Sequence, residues 1–294
     1  MTPQAHAPQA QPSTPPAEAA PQAAADTAST PTQSLAPSNE DEAESRRDTS
    51  FNIPLHPLRL RDPLCWLAAG WRDFKRAPLI GMFYGLCFML MGWALIGVFK
   101  HAPIYTLALS AGFLLMGPFL CLGLYRVSMK LEMGEKPRLL DSLLAWNRRL
   151  SQITIFGGVL LILEMIWGRA ALIVFAVSFD GMPDFAGSIL KLLDPQNVSF
   201  IIAYLAVGGV FAGLIFAISV ISIPMLLARE TDAVTAGLTS LRLVLSQPLV
   251  MLFWGFLITA GVVLALLPGF LGLIIIGPIL GHASWHAYRA AVHD

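Results

Sequence analysis

The stretch LVMLFWGFLITAGVVLALLPGFLGLIIIGPILGHASWHAY occupies residues 249–288 and contains no Asp, Glu, Lys or Arg. It reads as two apolar runs, 249–267 and 270–288, divided at Leu267-Pro268-Gly269. A helix rises 1.5 Å per residue, so about 20 apolar residues cross a hydrocarbon core of roughly 30 Å. Proline and glycine at the break predict two spans joined in a tight hairpin.

Working towards the N-terminus, the same signal recurs at 79–99, 104–125, 153–179 and 198–228. Lys100 to Pro103 breaks the first pair. Asp180 to Gln196, with Asp184, Lys191 and Asp194, breaks the second. The expectation is an all-α, polytopic membrane bundle of about six transmembrane helices. Composition agrees: 55% of residues are hydrophobic and 13% charged, with a mean hydropathy of +0.65, whereas soluble domains carry about a quarter charged residues.

Residues 1–50 differ from the rest. They are rich in Pro, Ala, Gln, Ser and Thr and nearly free of large apolar side chains. Such a segment cannot bury enough apolar area to offset ordering entropy, so a disordered tail is expected there, with a membrane domain over 51–294. No apolar signal-peptide core is read in the tail. It carries Glu18, Asp26, Glu40, Asp41, Glu42, Glu44 and Asp48 against Arg46 and Arg47. Its net charge is therefore −5, leaving +5 for the remainder of a chain that is neutral overall. No basic patch is large enough to argue for nucleic acid.

Orientation follows from Lys and Arg. One side of the six-span layout carries Arg59, Arg61, Arg72, Lys75, Arg76, Arg126, Lys130, Lys136, Arg138, Arg148, Arg149, Arg229, Arg242 and Arg289. The other carries Lys100 and Lys191. The basic side is expected in the cytoplasm of a bacterial inner membrane, with both termini there. Trp66, Trp71, Tyr125, Trp146, Trp285 and Tyr288 stand where interfacial aromatic belts belong.

A threefold rhythm runs through the spans. Each pair follows a short amphipathic segment on the basic side. The first begins at Asp62-Pro63, with Leu64, Leu67, Trp71 and Phe74 expected on one apolar face. The second begins at Pro137, with Leu139, Leu140, Leu143, Leu144 and Leu150; the third follows Glu230, with Val234, Leu238, Leu241 and Leu245. Pro78-Leu79 before Tyr84-Gly85 echoes Pro248-Leu249 before Trp254-Gly255, and Gly117-Pro118 echoes Gly277-Pro278. In the middle copy only Pro224 before Arg229 is recognisable. Basic amphipathic helices beside a bilayer suit anionic lipid headgroups, or they simply start each span.

The run from Asp62-Pro63 through Ala69-Gly70-Trp71-Arg72-Asp73-Phe74 to Pro78 and Tyr84-Gly85 resembles a bacterial domain-of-unknown-function family of predicted multi-span inner-membrane proteins. So do Ser222-Ile223-Pro224-Met225-Leu226-Leu227 and the closing Gly277-Pro278-Ile279-Leu280-Gly281-His282-Ala283-Ser284-Trp285-His286-Ala287-Tyr288-Arg289. The resemblance covers about 60–290. It implies a multi-span membrane protein and no catalytic residues. Some members carry the label cytochrome c oxidase subunit I, which these residues do not support. A haem–copper core needs several intramembrane histidines on about twelve spans, and here only His282 and His286 fall within a span.

Two constellations carry candidate chemistry. Glu164 lies mid-span with Arg169 five residues on, about 140° apart around a straight helix. Gly168 between them offers a place for a local break. Charges at that depth face a bundle interior or a partner, so an ion or substrate pathway is one reading and a structural contact the other. His282 and His286, four residues apart, share one helical face and could share a metal ion in an accessory protein of a respiratory complex. The alternative is hydrogen bonding to neighbouring helices. The GxxxG pairs Gly81/Gly85, Gly209/Gly213 and Gly277/Gly281 suit close helix packing. Cys65, Cys87 and Cys121 match no metal or haem-attachment spacing. The chain has no phosphate loop, no HExxH and no nucleophile elbow, so no cofactor is expected, and transport, sensing or an accessory or scaffold role is expected ahead of enzymatic activity. The expected surroundings are the lipid bilayer and a membrane-protein partner of unspecified kind.

Overall fold

The computed structural model describes residues 53–101, 106–145, 147, 150–178 and 198–292. The predicted tail, the Asp180–Gln196 break, Trp146, Arg148 and Arg149 lie outside the described residues. Among those described, every regular element is a helix. In chain order they are α1 (Asp62–Arg76), α2 (Pro78–His101), α3 (Thr106–Glu132), α4 (Leu139–Leu143), α5 (Leu150–Ser178), α6 (Val198–Ser219), α7 (Ser222–Ala228), α8 (Ala233–Ser246), α9 (Pro248–Leu266) and α10 (Leu273–Ala291). By length and composition, α2, α5, the continuous stretch Val198–Ala228 and α9 are each able to cross a membrane. Helix α10 divides: Leu273–Leu280 is apolar apart from Gly277-Pro278, and polar and aromatic side chains follow from His282.

The threefold rhythm is a real repeat. The unit is a short helix, a first long helix and a proline-bearing second helix: α1-α2-α3, α4-α5-α6/α7 and α8-α9-α10. Ala77 and Gln247 precede the prolines that open α2 and α9. They adopt the same backbone conformation, φ −134° and ψ 56° or 57°, and each amide donates four residues back, to Asp73 O and Leu243 O. Counted from the first residue of each first helix, a buried aromatic stands at the seventh position in all three units, followed by glycine: Tyr84-Gly85, Phe156-Gly157 and Trp254-Gly255. The middle pair is a member of the set that the sequence reading missed, because no proline opens α5.

Each aromatic reaches the short helix of the next unit, closing a ring. Tyr84 Oη donates to Ser142 Oγ on α4 at 2.9 Å. Phe156 lies 3.8 Å from where a Cβ on Gly237 of α8 would stand. Trp254 meets Trp66 of α1 edge-on, centroids 5.5 Å apart. The short helices in turn lie on the second helices of the preceding unit. Ser240 of α8 donates to Ala217 O at 2.8 Å, and Lys130 of α3 pairs with Asp141 of α4 at 2.7 Å. Helix α1 sits so close to α10 that a Cβ on Gly70 would lie 2.5 Å from Ile279 O.

The exposed faces of the short helices correct the expected ones. Leu64 and Trp71 of α1 are exposed, while Trp66, Ala69, Gly70 and Asp73 are buried together with Phe74. On α8, Val234, Leu238 and Leu245 point outward, and Ala236, Gly237, Thr239 and Ser240 pack inward. On α4, Leu140 and Leu143 are exposed and Ser142 is buried. The physical reason is the surroundings. Small residues let backbones approach and let hydroxyls bond carbonyls, while leucines lose nothing by facing lipid. An apolar stripe therefore does not mark the protein-facing side here.

The GxxxG pairs divide as well. Gly85 seats α2 on α10, Gly81 admits the Phe74 ring of α1, and Gly277 and Gly281 admit Phe88 and Leu124. Gly209 and Gly213 face open space. The α9–α10 turn is as tight as expected. Gly269 and Phe270 both have positive φ, Phe270 covers Gly92, and Trp93 Nε1 donates to Gly269 O at 2.9 Å. At the opposite end, an extended strap before α1 is held by Gln247. Its amide accepts from Leu58 N at 2.6 Å and donates to His56 O at 2.8 Å.

Candidate functional site

The second half of α10 presents His282, Trp285, His286 and Arg289 at positions i, i+3, i+4 and i+7, which is one helical face. All four reach helices of the first unit. His282 Nδ1 and Ser128 Oγ share a hydrogen bond of 2.8 Å. Trp285 Nε1 donates to Glu132 Oε2 at 3.1 Å, and Arg289 Nε donates to the other oxygen, Oε1, at 3.2 Å. His286 Nε2 lies 2.8 Å from Asp73 Oδ2. Ser128 and Glu132 are one turn apart on α3, so a single helix edge meets the α10 face. Asp73, Ser128 and His282 are all buried.

Burial pushes the Asp73 carboxyl up, but hydrogen bonds from His286 and Ser128 and the charge of the two imidazoles outweigh it and hold it below the usual carboxylate range. Asp73 is thus a buried carboxylate whose stability depends on α10. It comes from a helix position that the sequence reading left unassigned. The signal that could have found it is the acid at the penultimate turn of a short helix otherwise packed by small residues.

The two histidines stand together, as their spacing predicts, yet their rings go to different helices. His282 Nε2 is buried with no hydrogen-bond partner among the described residues. Among those residues no group of three His, Cys, Asp or Glu side chains is placed to hold a metal ion. With one nitrogen of each ring engaged elsewhere, we expect protein purified without chelator or a histidine tag to carry no stoichiometric zinc, copper or haem iron. Near-stoichiometric metal, lost in both His282→Ala and His286→Ala, would reverse this.

Glu164 and Arg169 are not brought together. Helix α5 runs without a break through Gly168, so the two side chains stay about 140° apart. Glu164 is half-buried and Arg169 exposed, and neither makes a hydrogen bond or ion pair among the described residues. Beside Pro118, Leu122, Phe156, Leu160 and Ile223 lies a small crevice whose lining is entirely apolar. The three cysteines are free.

Long apolar helices, an apolar core and polar side chains gathered at one end define a polytopic α-helical integral membrane protein. Over residues 104–228 the chain matches the model of the family described as predicted integral membrane protein, DUF2189, which is the family that its sequence resembles. The matched stretch holds α3 to α7 and includes Ser222–Leu227. The opening and closing motifs lie outside it. No curated protein and no solved structure matches the chain.

Proposed function

We propose that the protein is a non-enzymatic scaffold or accessory subunit of the bacterial inner membrane, with six spans at about 79–99, 104–125, 153–179, 198–228, 249–267 and 270–288 and both termini in the cytoplasm. One observation carries the reading: the ionisable side chains of the polar end bond one another across the junction of the first and third units. Groups used in this way lock helices together. The intramembrane charges, Glu164 and Arg169, lie instead on the least covered of the four long apolar helices, which suits association within the bilayer better than a pathway through the bundle. The outward stripes of α1, α4 and α8, that of α1 flanked by Arg72, Lys75 and Arg76, suit the headgroup zone and anionic lipids.

Reporter fusions test the layout. Fusions after Lys136 and at the C-terminus are expected to report the cytoplasm, and one after Asp184 the outer compartment. An outer-side signal from the C-terminal fusion would refute it. For the role, purification in mild detergent is expected to recover the chain self-associated or with membrane-protein partners. A partner-free monomer that supports solute flux in proteoliposomes would replace scaffolding with transport.

A further inference from the structure

We propose that the outer half of α5 is a self-association surface, on which a second copy of this chain docks its own α5 in parallel, Glu164 of each copy pairing with Arg169 of the other. The inference deepens the scaffold reading, and it rests on that reading for placing α5 in the bilayer.

Coverage is the first observation. Only 6% of the apolar window of α5 is buried, against 22% for α2 and α9 and 44% for Val198–Ala228. With 29 residues, α5 is about 43 Å long, and its buried residues, Ile153, Phe156, Gly157 and Leu160, all lie in its first half. Beyond Leu160 its contacts among the described residues include Trp167 near Gly208 and Phe175 against Phe200, both of α6.

The charges are the second observation. A carboxylate and a guanidinium without partners in a span are costly, and such groups normally pair inside a bundle or with another protein. Glu164 and Arg169 cannot pair with each other on one unbroken helix. Their spacing of five is the one at which two identical parallel helices satisfy each other. It joins a position on one flank of the seam to the position on the opposite flank of the partner, one heptad on, twice over by symmetry. Between those flanks the seam is Leu161, Met165, Gly168 and Leu172. Met165 and Leu172 are 54% and 56% exposed, and Gly168 has nothing within 4 Å of where a Cβ would stand. A flat site of this kind admits a neighbouring backbone closely. An unrelated helix would need the opposite charges at matching heights, whereas a second copy carries them by identity.

The test uses the full-length chain in native membranes, with Cys65, Cys87 and Cys121 replaced by serine or alanine. Single cysteines are placed at Met165 or Leu172, in the seam, and at Ile166 or Ile173, outside it. Oxidative cross-linking is expected to yield covalent dimer several-fold more from Met165→Cys and Leu172→Cys than from Ile166→Cys and Ile173→Cys. In the Leu172→Cys background, Glu164→Arg or Arg169→Glu alone should lower the dimer several-fold, and the two together should restore it. Equal yields at all four positions, or folded charge variants that leave the dimer unchanged, would overturn the proposal. So would a folded double swap that fails to restore it. If a charge variant does not fold, the pattern at the four cysteine positions decides by itself. Cross-links to a different protein, with no dimer, would overturn the second copy while leaving the scaffold reading standing; an absence of any cross-linked product or co-purified partner would sink both.

Discussion

Gly85→Leu is expected to abolish recovery of folded protein, while Gly97→Leu on the same helix leaves it unchanged. At Gly85 the first added carbon would lie 2.2 Å from Ile274 O and 2.6 Å from the carbonyl carbon, so α2 would have to leave α10. Around Gly97 nothing stands within 4 Å. Overpacking a core costs about 1–3 kcal/mol when side chains can turn aside. Here the obstacle is backbone on both helices, so the cost should exceed that range. Gly85 also follows Tyr84, whose hydroxyl ties α2 to Ser142, and displacing the helix would break that bond as well. Monodisperse recovery in detergent and the thermal midpoint are the measurements. A Gly85→Leu protein that elutes and melts like the parent would show that α2 and α10 are not packed this way.

Asp73→Leu is expected to be the next most damaging change, lowering stability by about 2 kcal/mol or more, because it leaves His286 without its carboxylate at a largely buried site. Asp73→Leu combined with His286→Leu should cost less than the two single losses added together, since the double variant leaves no orphaned partner. Strict additivity would mean that the bond contributes nothing. The pH dependence has a definite sign. The folded carboxyl is held below its ordinary value, so its contribution is complete above the unfolded carboxylate range near pH 4. It disappears as pH falls through the lowered folded value. Thermal midpoints of the parent and Asp73→Leu should therefore differ above the unfolded carboxylate range near pH 4 and converge in stronger acid.

Both predictions depend on residues whose importance was unevenly legible. Gly85 was marked by its place in a GxxxG pair and by its echo in Gly255. Asp73 was not, because its partners come from α3 and α10, 55 and 213 positions further along the chain. Ser128 and Glu132 were missed for the same reason. His282 and His286 were singled out from spacing alone. Spacing defines a shared face but not which ring nitrogen meets which neighbour, so it could not assign Ser128 to one ring and Asp73 to the other. The pair Glu164 and Arg169 was legible as an anomaly of charge in an apolar run. That α5 runs unbroken between them, and that its second half carries no buried residue, was not.

What the sequence determined by itself is the class of structure. The free energy of placing some twenty apolar residues in hydrocarbon is local and additive, so helix positions, the hairpin at Pro268-Gly269 and the echo of the first and third units follow from the order of side chains. What only the tertiary structure decided is direction. Bilayer and protein interior are equally apolar, so leucines carry no information about which side of a helix faces its neighbours; the choice falls to close approach and hydrogen bonding. Gly70, Ser142 and Ser240 face inward because a small residue or a hydroxyl gains there, and Leu64, Leu140 and Leu238 are left outside. The ring of three units, with Tyr84, Phe156 and Trp254 each reaching the next, arises from those contacts between segments far apart in the chain, and periodicity within a single segment cannot encode it.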